Sequence, residues 1–182
     1  MKTFNRIKVS NNFYPDEFVD PHTYFTETDN GLHLVDPNLF TIAQLLRDYY
    51  GKGIRINSWW WYYEKNKLEL TEEEMVKRIE KSTTISKWSG IRTSRCSIGA
   101  SRSAHKLIHS GKGQAIDPKG DQKKFFNIVK TNAEEFYNLG LRRLEDISIT
   151  PGWLHMDTLE RNTQPNSIRV VDRKECTETI RW

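Results

Sequence analysis

The sequence predicts an α+β fold, a small antiparallel sheet flanked by helices. Three observations predict it. Apolar residues recur at helical spacing in three segments, short β-type segments crowd the second half, and the two kinds do not alternate as in a parallel α/β fold. The chain has 182 residues, enough to bury a sizeable core. It shows no internal repeat, low-complexity stretch or Pro/Gly/Ser-rich linker, so one domain over 1–182 is expected.

The elements follow in order. Asn11-Asn12 marks a turn, and Pro15-Asp16-Glu17-Phe18 a short docking turn after it. The first helix follows Asp36-Pro37, with Asp36 as N-cap and Pro37 as the first helical residue. Leu39, Ile42, Ala43, Leu46 and Tyr49 or Tyr50 keep the helical period, and Gly51 ends it. Ile54 to Asn57 reads as a strand. The segment of about 59–88 then changes character. It opens Trp59-Trp60-Trp61-Tyr62-Tyr63, turns strongly charged, and forms a second helix at Thr71, where Glu74 completes a capping box ahead of Met75, Val76 and Ile79. It reads as an insertion or flap beside the main domain. Its aromatics, Trp59 first, either offer a binding surface or belong to the core.

Gln114 to Asp117 reads as the next strand. A third helix runs from about Asp121 to Leu139, with Phe125, Val129, Ala133 and Phe136 on one face and Gly140 as its stop. Leu144 to Thr150, Trp153 to Thr158 and Ser167 to Val171 are the remaining strands.

Composition excludes several classes. With 36% hydrophobic and 29% charged residues the chain is neither disordered nor fibrous. The net charge of +4 comes from interspersed charges with no run of five like ones, which argues against a nucleic-acid binder. No apolar stretch reaches the roughly 18 residues of a membrane span. Met1 to Ser10 carries Lys2, Arg6 and Lys8 but no apolar segment, so it is not a secretory signal. Cys96 and Cys176 are far apart and outside any C-x-x-C pair, so free thiols are expected.

The chemistry centres on two of the five histidines. His105 lies in Ser101-Arg102-Ser103-Ala104-His105, ahead of Gly113-Gln114-Ala115-Ile116-Asp117, and His155 lies in Gly152-Trp153-Leu154-His155-Met156-Asp157. Catalytic zinc takes three protein ligands and keeps one position open, and two imidazoles with a carboxylate suit it. Strand alternation puts Trp153, His155 and Asp157 on one face, and Ala115 and Asp117 together on another. On these residues alone, a metal site and a hydrogen-bonded structural pair both remain open.

The series Ser89-Gly90-Ile91-Arg92, Ser103-Ala104-His105, Gly113-Gln114-Ala115-Ile116-Asp117 and Trp153-Leu154-His155 follows the order S-G-x-R, S-x-H, G-x-A-x-D, W-x-H. In this it resembles the zinc D-Ala-D-Ala carboxypeptidase and L-alanyl-D-glutamate endopeptidase family, in the phage and bacterial branch related in fold to the hedgehog signalling domain. Phe13 to Phe18 resembles that family's N-terminal turn, and Ile54 to Ser58 its first strand, so the likeness covers about 13–171. It implies a hedgehog-like, DD-peptidase-like fold and a metallopeptidase acting on peptidoglycan stem peptides. It implies His105, Asp117 and His155 as Zn2+ ligands, Arg92 as the cation that holds the peptide carbonyl or developing oxyanion, and Ser103 as support for the loop carrying His105. Ser103, Trp153 and Trp59 are the candidate substrate contacts. Such a protein, made in a bacterial cytoplasm, would reach the wall through lysis or on a virus particle.

Two features depart from the family. His105 and Asp117 stand 12 positions apart, wider than usual, with the extra residues in 106–112, and His109 is the alternative ligand. Many members carry an acid three residues before the last His, where this chain has Gly152. A general base contributes about 100- to 10,000-fold. Glu145 and Asp157 are the substitutes, although Glu145 reads equally as a surface carboxylate and Asp157 as a partner orienting a ligand. The missing acid keeps a non-catalytic wall-binding module, or a virion structural module on the same fold, as the alternative function.

Overall fold

Capping and periodicity place the helices after Asp36 and Thr71 where the sequence puts them, and two further short helices precede and separate them. The computed structural model describes residues 6–97, 103–107, 110–160, 164–172 and 175–182. Helix α1 spans Pro21–Thr26, α2 Asn38–Tyr50, α3 Trp59–Asn66, α4 Glu72–Lys81, α5 Gln122–Thr131 and α6 Ala133–Asn138. Asp36 caps α2 by accepting the Asn38 N–H at 3.0 Å, and Gly51 closes it in the left-handed region with φ 70°. Leu39, Ile42, Ala43 and Leu46 are buried along its inner face. Thr71 and Glu74 form the reciprocal capping box of α4.

The third helix breaks in two. Asn132 leaves helical geometry (φ −116°, ψ 34°), and its side-chain amide donates to the Ile128 carbonyl at 2.8 Å. An Asn that bonds its own backbone competes with the helix ladder. Phe125, Val129, Ala133 and Phe136 nevertheless keep one buried face across the break.

The sheet is mixed, which corrects the antiparallel expectation. Strands β1 (Ala115–Ile116), β2 (Arg143–Glu145), β3 (Met156–Asp157), β4 (Ser167–Asp172) and β5 (Glu175–Arg181) lie in the order β1-β3-β2-β4-β5. Strand β3 pairs antiparallel with both β1 and β2, but β4 runs parallel to β2, with Arg143 opposite Arg169. Strand β4 lies on the far edge of β2 rather than beside β3, and it runs in the direction of β2. Strand β5 then covers β4 antiparallel. Ile54 to Asn57 forms no sheet strand; Arg55 makes one isolated bridge to Lys119.

The 59–88 segment shares the core rather than lying beside it. Trp59, Met75, Ile79 and Ile85 belong to the same buried cluster as Phe13, Leu39, Phe125 and Met156. Trp59 is fully buried, packs edge-on against Tyr24 with centroids 5.3 Å apart, and donates its indole N–H to the Val19 carbonyl at 2.9 Å. The expectation that Trp59 contacts substrate is therefore corrected: an indole enclosed on all sides stabilises the core.

The N-terminal turn forms as a single 3-10 turn over Pro15–Glu17, with the Glu17 carboxylate accepting the Tyr14 N–H at 3.1 Å. Burial pushes Glu17 up to about 7, against the pull of that hydrogen bond. A folded pKa above the unfolded value of 4.5 means that Glu17's contribution is complete below about pH 4.5 and is lost as pH rises through 7. Glu17→Gln keeps an acceptor for Tyr14 but carries no charge. Relative to the native chain, the variant is expected to gain on the order of 1–3 kcal/mol between pH 5 and pH 8. Parallel urea curves of the two proteins at both pH values check this; a constant difference would refute it.

Candidate metal centre

Three backbone segments converge on one point. Asp117 follows β1 directly, and its N–H is fixed by the Ser89 carbonyl at 2.7 Å. His155 precedes β3 and passes its carbonyl to the Glu145 N–H at 3.2 Å. His105 comes from a loop pinned on both sides: its carbonyl accepts the Arg92 N–H at 2.8 Å, and the Ala104 carbonyl accepts the Gln114 N–H at 2.8 Å. Between His105 and Asp117 the Gly111 N–H bonds to the Leu107 carbonyl at 2.9 Å, and the wider spacing still brings His105 and Asp117 together. His109, the alternative ligand, lies outside the described residues.

The three side chains present one donor atom each to a common space. His105 Nε2 lies 3.1 Å from His155 Nδ1 and 3.1 Å from Asp117 Oδ1, and His155 Nδ1 lies 2.8 Å from the same oxygen. All three residues are buried, and together they can hold a metal ion. The spacing fits one cation. Ligand bonds of about 2.0–2.2 Å at a tetrahedral angle set donor atoms about 3.3–3.6 Å apart, so the triangle takes one cation by opening a few tenths of an ångström.

Each ligand is also held from behind. The Gly90 carbonyl sits 2.6 Å from His105 Nδ1 and can only accept, so Nδ1 carries the proton and Nε2 keeps its lone pair for the centre. Asp157 Oδ2 lies 3.1 Å from His155 Nε2, which leaves Nδ1 as the ligand atom. Arg92 Nη2 donates to Asp117 Oδ2 at 3.0 Å, leaving Oδ1 for the centre. Outer partners of this kind set tautomer and ring orientation at metal sites.

The electrostatics call for a positive occupant. Burial alone would raise Asp117, but the adjoining His105 and His155 hold it well below the usual carboxylate range. Burial lowers His105 and prevails over Asp117. His155 is also pushed down by burial, yet its hydrogen bonds to Asp117 and Asp157 outweigh that and hold it up at about 10. A ring proton therefore occupies the place where a cation would sit.

A cleft of about 670 Å3 opens beside the group, and Asp117 reaches its wall. Arg92, Trp153 and Lys119 line it together with Asp117 and residues of 80–89. Trp153 thus stands where a substrate contact is expected. Arg92 is there too, although its Nη2 is committed to Asp117 and its Nε to the Trp88 carbonyl at 2.8 Å. Ser103 does not line this cleft; its Oγ accepts the His105 N–H at 3.4 Å, so it serves the loop.

Neither substitute acid stands as a free base. Asp157 is completely buried behind His155 and accepts from Arg143 Nε at 2.6 Å, so its place is that of an orienting partner and the catalytic expectation is corrected. Glu145 lies on β2 beside the His155 backbone but is neither one of the three converging residues nor part of the cleft lining. Sequence reasoning missed Arg143, Lys119 and the Gly90 carbonyl. Arg143 and Lys119 carried no motif, whereas Gly90 lies inside the S-G-x-R block. Asp157→Asn is expected to weaken metal affinity about 10- to 100-fold, since His155 then loses its anionic partner. Competition with a coloured chelator reads this, and an unchanged constant would show that Asp157 serves packing alone.

Comparison with protein-family models, with curated proteins and with solved structures finds no match for this chain.

Proposed function

We propose that this chain is a zinc-dependent peptidase acting on the short peptides of bacterial peptidoglycan. The observation that carries the reading is the converging triangle of His105 Nε2, Asp117 Oδ1 and His155 Nδ1, with edges of 2.8–3.1 Å, each corner held from behind and one corner reaching an open cleft. Two imidazoles and one carboxylate match a catalytic zinc shell with a fourth position free. A zinc ion bound there lowers the pKa of its water toward about 7 and polarises a carbonyl. Arg92 orients Asp117 and stays at the cleft wall, where a substrate carbonyl oxygen can accept from its remaining N–H groups. The substrate half of the reading rests on the likeness of the four sequence blocks to wall-peptide peptidases.

A second reading has one observation in its favour: the two acids proposed for proton transfer stand away from the cleft. On that reading the chain binds wall peptides through the same centre without cutting them. Metal analysis of the purified chain, joined to mass spectrometry of digested peptidoglycan, separates the two. A peptidase gives about one zinc per chain and new peptide termini that vanish with chelator. Zinc without new termini selects the binding module, and a chain that takes up no zinc refutes both.

A further inference from the structure

We infer that Lys119, with the Trp153 ring beside it, forms a subsite that selects a substrate carboxylate next to the metal centre. The inference deepens the peptide reading of the same cleft and rests on it. Among the described residues, five cations line the cleft, Lys81, Lys87, Arg92, Arg95 and Lys119, against two acids, Glu80 and Asp117. Most of the cations are committed. Arg95 grips Glu80 with two bonds of 2.9 Å, Arg92 holds Asp117, and the Lys87 ammonium meets the Ser82 carbonyl. Lys81 is exposed at the end of α4. The Lys119 ammonium has no acceptor among the described residues, although the residue is only half-buried and lies two positions from Asp117.

Its position is fixed by its backbone. The Lys119 N–H donates to the Arg55 carbonyl at 2.7 Å, and on its other side Lys119 bridges antiparallel to Trp153. Side chains directly opposite in such a pair stand about 4.5–5.5 Å apart at Cβ. The indole thus gives the lysine stem an apolar wall while the charged end stays in the cleft. Two residues of extended chain span about 6.6 Å, so the Lys119 backbone stands about two residues' length from that of Asp117. A cation without a partner in a polar cleft next to a metal centre fits a ligand anion. In a wall peptide that anion is a carboxylate within one residue of the bond at the metal, either the C-terminal one or the free α-carboxylate of D-glutamate.

The test is binding to the full chain in its metal-free form, read by calorimetry, so that no probe is cut during the titration; the zinc-loaded chain is assayed separately for cleavage. The probes are the pentapeptide L-Ala-γ-D-Glu-L-Lys-D-Ala-D-Ala and two twins, each with one of the two carboxylates converted to its amide. The native chain is expected to bind one twin about 10- to 100-fold more weakly than the acid, as for loss of one charge-assisted hydrogen bond, and that twin identifies which carboxylate is held. Lys119→Gln is expected to bind the acid as weakly as that twin, while Lys119→Arg keeps the preference. Equal binding of all three peptides by the native chain, a penalty that persists in Lys119→Gln, or binding of none overturns the subsite. If the preference holds but no peptide is cut, the subsite stands and the peptidase reading falls.

Discussion

Asp117→Ala is expected to leave the chain without stoichiometric metal and markedly less stable. One carboxylate joins the whole centre: Oδ1 faces both ring nitrogens, and Oδ2 receives Arg92. Its removal leaves Arg92 Nη2 and His155 Nδ1 without their shared carboxylate in a largely buried place. Breaking one partner of a buried ionic group costs about 3–5 kcal/mol. For a chain of this length each kcal/mol lowers Tm by about 2–4 °C, so a fall of roughly 6–20 °C is expected in the metal-free protein. Scanning calorimetry and metal analysis after dialysis read the two effects separately. Asp117→Asn keeps the shape and an acceptor, so it should recover part of the stability and none of the metal. If Asp117→Ala still carries one zinc per chain, the carboxylate is not a ligand.

Gly90→Ala is expected to damage both fold and centre by a different route. A Cβ built on Gly90 would stand 2.0 Å from the Phe18 carbonyl oxygen and 2.5 Å from its carbon. These are backbone atoms, and that oxygen also accepts the Ile91 N–H at 2.8 Å, so neither side can give way cheaply. The 89–91 segment must move, and with it the Gly90 carbonyl that fixes the His105 tautomer. Overpacking of this kind costs about 1–3 kcal/mol or more, and a displaced outer partner weakens metal binding about 10- to 100-fold. Both losses should appear together. A variant with native Tm and native zinc affinity would mean that Phe18 yields without cost.

These two residues show how legibility varied along the chain. Asp117 was readable as a candidate through its G-x-A-x-D block and the resemblance that block carries; on its residues alone a hydrogen-bonded structural pair stood equally open. The capping residues Asp36, Thr71 and Glu74 were readable because helix ends require local acceptors. The parallel β2 and β4 pairing was not, since nothing local to either strand records which edge a later segment will join. Strand β5 escaped because Glu175–Arg181 is mostly polar and buries only Ile180, as an edge strand permits. Asp157 was legible as a residue but not as a role. Its identity as orienting partner depends on Arg143, which meets it across the β2 and β3 register. Trp59 was misplaced because a run of aromatics looks the same whether it faces solvent or core.

The order in which the ligands occur in the chain has a consequence for biosynthesis. His105 and Asp117 leave the ribosome first, and His155 follows Asp117 by 38 residues. At about 5–20 residues per second that interval lasts about 2–8 s. During it β1 has no partner, because the strand that belongs between β1 and β2 is β3, the last of the three to be made. A nascent chain in that interval carries two of the three candidate ligands and an unfilled gap in its sheet. The three side chains of the candidate centre therefore come together only when β3 inserts between β1 and β2, so a ribosome stalled before His155 carries a chain whose sheet is still open at that place.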